Sequence, residues 1–523
     1  MKNKLIYSLG IVFFMSLISY GQEKQDIKVL YVGYSPEKPM PENIESGRIP
    51  AGMPPERYKE EYGKRMPAFK TLLETYFTKV TTVDPRDYNE KMSRNHDVTI
   101  FDQAPTQIKE RVIHNDPETG KFVSMEPAKY VSDDFSSASV FIGHTSSVIG
   151  SSLGSKLDWY CLCLDRHAHH IKTEHEIFKG PFKTKITLEK RETPKGVLEA
   201  YDGYNIPKEI PMWEVDKEGY LDGKGFRIGM VARGWNFEDS PNSEIISGGV
   251  SSKQKTAVAL GRHGNFFLWG FAGSPAYMTE EAKIVFVNAI VYTNKHKNDK
   301  LIVRKYNERI ATKEYIDELL FYTTKPSYVS YVEAYKGFNK STVEEQKKIK
   351  KKQAKGNALT EMEKMILTSK PQEIGTREDY LKKNIGRQSW FELTGIDTLA
   401  IRKYLTENRD YFYSEPDGFY DLKVDEDIKS LGIANTNIKV LDKAISMLET
   451  NVEIDKAYRI LLRYTLEDFK TAKEWRTWYN GNKDNMFFTE MGGFVWLIYN
   501  ANANANPKVR PRNEKDIALL KFK

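Results

Sequence analysis

Residues 139–165 read SVFIGHTSSVIGSSLGSKLDWYCLCLD, and this stretch decides the fold class. Ser139 to Ile142 is a short apolar strand, Gly143 to Ser147 a sharp turn, and Trp159 to Leu164 a second strand after a brief connection. Apolar strands of this kind, separated by long crossovers, belong to a parallel sheet in an α/β fold. Such folds often place a reactive Cys or Ser on the turn that leaves a strand. The turn here offers His144, Ser146 and Ser147, with no Cys and no Gly-x-Ser-x-Gly. Fold is far better marked than chemistry.

Upstream, Lys28 to Tyr34 (KVLYVGY) is a near-continuous apolar run that predicts a buried parallel strand, followed by a Pro/Gly-rich loop over 36–55. Phe69, Leu72, Leu73 and Tyr76 recur at helical spacing. Lys79 to Val83 and Val98 to Phe101 predict further strands, the second leading into Asp102 and Gln103. Downstream, the more polar segments 183–188 and 212–216 predict an insertion or an antiparallel extension at a sheet edge. Phe226 to Ala232 is again a strand, and 256–260 and 265–270 predict a hairpin turning at Gly261-Arg-His-Gly264. Thr279 caps a closing helix with Glu280 and Glu281 in its first turn.

Beyond residue 300 strands largely give way to helical periodicity, clearest in the pair built on Val440, Leu441, Ala444, Ile445 and Leu448 and on Ile454, Ala457, Ile460, Leu461 and Tyr464. The aromatic segment 475–496 is expected to dock as a final hairpin. The expected organisation is a signal peptide over 1–21, an α/β domain over 22–298, a helical linker over 299–355, an α-helical domain over 356–499 and a low-complexity, basic tail over 500–523.

The chain begins with Lys2 and Lys4, an apolar run from Leu5 to Tyr20, and small residues at Ser19 and Gly21 ahead of Gln22. This pattern predicts a cleaved signal peptide and a periplasmic or secreted mature chain without a transmembrane helix. At 523 residues, with 40% apolar and 12% aromatic content, the chain can bury more than one core. A net charge of +7 is modest, and the basic run Lys347 to Lys355 reads as a solvated helix face, so nucleic acid is not an expected partner. Cys161 and Cys163, two apart on one strand, read as small core residues.

Residues 97–102 (DVTIFD), the strand to Leu164 followed by His175-Glu-Ile-Phe-Lys-Gly-Pro-Phe182, and 259–292 (ALGRHGNFFLWGF through VFVNAIVY) resemble the trehalose-utilisation-like branch of the class I glutamine amidotransferase-like superfamily. The resemblance spans about residues 27–296 and implies a flavodoxin-like, amidotransferase-like parallel sheet with helices on both faces. The amidotransferases of that superfamily use a Cys on the strand-to-helix elbow; its absence here argues against glutaminase activity. The resemblance implies sugar metabolism for some members.

In an open parallel sheet, ligands bind beyond the carboxyl ends of the strands. Strand ends place Tyr34, Gln103, Asp165, His167, Arg233, Trp235, Arg262 and His263 as candidate ligand-binding residues. A hydrolase reading takes His144 as base, Asp102 as its orienting acid and Ser146 as nucleophile, against the alternative that the serines cap a helix. Asp165, His167 and His169 are the candidate ligands if a divalent metal binds, though no cofactor is expected. The functional expectation is an exported protein that binds or processes a carbohydrate-type ligand. The alternative is a non-catalytic protein-interaction scaffold of the cell envelope, with a partner held by an apolar face around Trp475, Trp478 and Phe487.

Overall fold

Alternation within the first strand organises the α/β half. In β1 (Gln25–Val32), Ile27, Val29 and Tyr31 point to one core while Leu30 and Val32 point to another. The first core is closed by the helices Pro55–Tyr76, through Met66, Phe69 and Leu73, and Glu280–Lys295, through Val285, Phe286 and Ile290. The second is closed by the helix Thr145–Leu153, through Ile149 and Leu153, with Phe135 and Leu157. Helices therefore cover both faces of the sheet. The computed structural model describes residues 23–41, 55–120, 122–126, 128–157, 159–194, 207–219, 229–251, 256–305, 310–415 and 419–499. The expected signal peptide and tail, most of the Pro/Gly-rich loop, and the side chains of Cys161 and Cys163 lie outside the described residues.

The remaining strands in chain order are β2 (Phe77–Val83), β3 (Val98–Phe101), a small hairpin of β4 (Val112–Asn115) and β5 (Phe122–Glu126), β6 (Ser139–Ile142), β7 (Trp159–His169), β8 (Leu188–Glu192), β9 (Glu209–Glu214), β10 (Gly229–Ala232), β11 (Ser243–Ser251), β12 (Val258–His263) and β13 (Phe266–Trp269). Strands β2-β1-β3-β6-β13 lie side by side and parallel. The sheet then changes character: β13 pairs antiparallel with β12, and β7, β9 and β8 continue it as antiparallel strands. The antiparallel extension expected from the polar segments is thus present, with its outer strands at 188–192 and 209–214.

Strand β11 pairs with both β12 and β7, while β10 also pairs with both, so these four strands form a closed circuit. The expected hairpin is β12–β13, but its turn is tighter than expected. The strand runs on through Gly261, Arg262 and His263, and the chain reverses at Gly264 and Asn265, where Gly264 takes a left-handed φ of +59°.

The helical half has two cores. Val440, Leu441, Ala444 and Ile445 pack on Ala457, Ile460, Leu461 and Trp475, and Ala311, Ile316 and Leu319 pack on Leu381, Ile401 and Leu405. The segment read as a linker therefore supplies core residues from Ile310 onward. It also holds the helix Lys325–Ala354, in which Ser327 and Ile349 alone are buried. A two-residue ladder of β14 (Phe412–Tyr413) and β15 (Lys423–Val424) and the expected final hairpin, β16 (Met486–Thr489) with β17 (Val495–Ile498), complete the half. Trp475 is wholly buried and Trp478 and Phe487 are half-buried, so the broad apolar face expected there is not presented. No helix among the described residues is long and apolar enough to cross a membrane.

Candidate functional site

The carboxyl ends of β1 and β3, with the amino-terminal half of the helix Pro55–Tyr76, enclose a cleft lined by Tyr31, Tyr34, Glu61, Tyr62, Arg65, Met66, Asp102 and Gln103. At its floor Asp102 is 2% exposed. Arg65 grips it bidentately, Nε to Oδ2 at 2.7 Å and Nη2 to Oδ1 at 2.5 Å, and the Tyr31 hydroxyl donates to Oδ2 at 2.7 Å. A third arm of Arg65, Nη1, donates to the Ala272 carbonyl at 2.9 Å, tying the helix to the end of β13. Glu61, one helical turn earlier, approaches Arg65 at 3.6 Å.

These contacts set the protonation states. Burial raises the Tyr31 phenol well above its usual value, and the neighbouring Asp102 adds to the rise. For Arg65 burial pulls downward, but Asp102 outweighs it and holds the guanidinium firmly charged. Gly33 makes room for the Tyr31 ring: a Cβ there would stand 2.6 Å from Tyr31 Cε1.

The mouth is aromatic. The Tyr34 and Tyr62 rings lie 5.7 Å apart, and the Arg86 guanidinium sits 5.9 Å from the Tyr34 ring. Asp84 fastens this rim, accepting from Ser35 N at 2.9 Å and from Arg86 Nε at 2.7 Å. The cleft encloses about 300 Å³ counting its open mouth.

Compared with known proteins, the chain matches no family model, no curated protein and no solved structure.

Of the residues expected from sequence, Tyr34, Asp102 and Gln103 line this cleft. His144 stands at the end of the neighbouring strand β6, as N-cap of the helix Thr145–Leu153. Burial pushes its imidazole below the usual value, while Asp102 pulls it back up and Arg65 pushes it further down. Ser146 donates its hydroxyl to the Gly143 carbonyl at 3.0 Å. Among the described residues no hydrogen bond joins His144 to Asp102 or to Ser146, whose bonding groups face Arg65, Tyr31 and the backbone instead.

Asp165 and His167 sit one step along the same edge. Gly273 N donates to Asp216 at 3.2 Å, Asp216 N meets the Arg166 carbonyl, and His167 Nδ1 lies 3.8 Å from Asp165 Oδ2. His169 Nδ1 lies 2.7 Å from His170 Nδ1, and burial pushes His169 down to about 4. Among the described residues no group of three or more His, Cys, Asp or Glu is arranged to hold a metal ion.

The other four are elsewhere. Arg233 stacks at 4.0 Å on Trp235 and at 4.7 Å on Tyr420, and Trp235 packs at 4.9 Å against Tyr315, so both lie in the seam with the helical half. Arg262 and His263 stand opposite Phe267 and Phe266, at the beginning of β13, because β12 runs antiparallel. This is the sheet edge opposite the cleft. Arg262 there binds Glu244, Tyr292 and Asp299, and His263 Nδ1 accepts from Lys156 N at 3.0 Å. Sequence reasoning missed Tyr31, Glu61, Tyr62 and Arg65. The available signal was a charged pair four apart, Glu61 and Arg65, on a helix that follows the first parallel strand.

Proposed function

We propose that the cleft at the ends of β1 and β3 is a binding site for a neutral, carbohydrate-type ligand. The observation that carries this reading is the pairing of two stacking rings, Tyr34 and Tyr62, over a floor of fully engaged polar groups, Asp102, Arg65 and Tyr31. Sugars are bound by aromatic faces with a few fixed hydrogen-bonding groups, and Gln103 and Glu61 supply these at the cleft wall. An anionic ligand meets two carboxylates, Glu61 and Asp102, and a guanidinium already engaged by both. In this reading a sugar ring lies across the mouth, against the tyrosines.

Binding is favoured over turnover. The serine, histidine and aspartate that a hydrolase would join are each bonded elsewhere or stand apart, and no Cys occupies the elbow at 143–147. The order β2-β1-β3-β6-β13 supports reading these strands as a flavodoxin-like sheet, and with it kinship to the trehalose-utilisation-like branch of the amidotransferase-like superfamily. Export through a signal peptide belongs to the same proposal.

Thermal unfolding of the chain against mono- and oligosaccharides tests it. A ligand at about 100 times its dissociation constant adds about 2.7 kcal/mol of stability. A shift that disappears in Tyr62→Ala, with the helix content unchanged, supports the site. A flat response across the panel turns attention to the scaffold reading, for which Leu393, Ile396 and Leu399 are the relevant feature: Leu393 and Leu399 are each 76% exposed.

A further inference from the structure

The seam between the α/β half and the helical half is closed by carboxylates. Asp239 Oδ2 accepts from the backbone N–H groups of Glu490 and Met491 at 2.9 and 3.0 Å. In the other direction Glu314 Oε1 accepts from Asn236 N at 3.2 Å. Glu490 itself, 4% exposed, accepts from Lys313 N at 2.6 Å. Three acidic side chains from three distant segments thus meet at one joint.

The basic groups around them are held back. Lys156, wholly buried, pairs with Asp239 and donates to the Phe237 carbonyl at 3.0 Å, with Lys305 and Glu238 as its further charged neighbours. Lys313 turns its ammonium to Asn435 at 2.6 Å and to the Asp410 carbonyl, although it still attracts Glu490. Glu314 faces Asp239 and Asp317, and Arg409, which attracts it, is paired with Asp317 at 2.8 Å. Glu490 faces Lys313, Asp239 and Glu314.

We propose that Glu314 and Glu490, set against Asp239, form a proton-operated latch: protonated they hold the two halves together, and ionised they loosen the joint. Like charges at a desolvated seam favour the neutral acid. Burial pushes both Glu314 and Glu490 up to about 7, with Asp239 adding to each. Both glutamates are raised above their unfolded values, so the folded, docked chain binds more protons than the unfolded chain between about 4.5 and 7. Their contribution is full at the acid end of that window and lost as pH rises through 7.

Hydrogen exchange of the intact chain at pH 5 and 7.5, corrected for intrinsic rates, tests the latch. Release of a single proton per opening weakens protection of the seam amides, those of Asn236, Lys313, Glu490 and Met491, by about tenfold per pH unit between about 4.5 and 7, and the dependence levels off above 7. Amides of β1 serve as the internal control. In E314Q/E490Q, which mimics the protonated pair and keeps both acceptors, protection is expected to be independent of pH. Seam protection in the wild-type chain that does not change between the two pH values overturns the proposal, whether or not the double variant folds. So does a double variant that keeps the wild-type dependence.

Discussion

Arg65 and Asp102 face each other as a closed fork at the floor of the cleft, two parallel hydrogen bonds that leave the carboxylate 2% and the guanidinium side chain 16% exposed. The Tyr31 hydroxyl completes the carboxylate's set. Breaking a buried pair from one side strands the other charge, at a cost of about 3–5 kcal/mol, whereas replacing both can be nearly neutral. Arg65→Met or Asp102→Leu alone is therefore expected to lower stability by that amount, and the double variant to recover most of it. Denaturant titration measures this; two additive losses would show that the pair is not a closed unit.

Gly33→Ala is expected to disturb the same floor. The new Cβ meets the Tyr31 ring at 2.6 Å, and the ring must swing away from Asp102 to clear it. The phenol then loses the carboxylate that helps hold its titration high. Ultraviolet titration of the tyrosines at alkaline pH should show one phenol ionising at lower pH than in the parent, and an unchanged curve counts against the geometry.

Ser146→Ala removes one side-chain bond to the Gly143 carbonyl and nothing else at the cleft. A stability loss of about 0.5–1.5 kcal/mol is expected, with any saccharide-induced thermal shift intact. If the shift disappears with Ser146 while the helix content is kept, the serine has a role the present geometry denies it.

Gly264→Ala tests the hairpin. Its φ of +59° is unfavourable for any L side chain, and an added Cβ would approach Lys300 C at 2.9 Å. A loss of about 1 kcal/mol or more is expected. An alanine variant as stable as the parent would mean that the turn has another conformation.

Acid should weaken the chain through its buried histidines. Burial pushes His144 and His263 below the usual imidazole value and His169 down to about 4. The unfolded chain takes up these protons first, so stability is present above about pH 6.5 and is lost as pH falls from there toward 4. Glu314 and Glu490 work in the opposite sense over part of that range, so the readout is the difference between wild type and His169→Gln. The variant should show the shallower acid slope; equal slopes would remove His169 from the account.

The parallel strands were legible because each is an unbroken apolar run with a clear boundary, as in Val98 to Phe101 before Asp102. Strand β11 was not, because Ser-Gly-Gly-Val-Ser reads as a loop and becomes a strand only through ladders on two sides, to β12 and β7. The same limit governed the site. Asp102, Tyr34 and Gln103 follow parallel strands and were placed in the cleft by direction alone. Arg262 and His263 also end a strand, and the expected hairpin sets β12 against β13, but nothing in the spacing says which of the two runs with the parallel strands. Arg233 and Trp235 point into a seam that exists only once the helical half is present. Arg65 comes from a helix, and its partner is set by how that helix crosses β1, which periodicity does not specify.

The strand order also has a history written into it. Strand β13, which sits between β6 and β12 in the middle of the sheet, is the last of the thirteen to be made. The helix that covers it ends at Lys295, past the midpoint of the 523-residue chain. Until the ribosome has passed that point, β6 has an open flank and the core that Ile27, Val29 and Tyr31 share with the helix Pro55–Tyr76 lacks Val285, Phe286 and Ile290, so the sheet cannot be completed while the first half of the chain is being made.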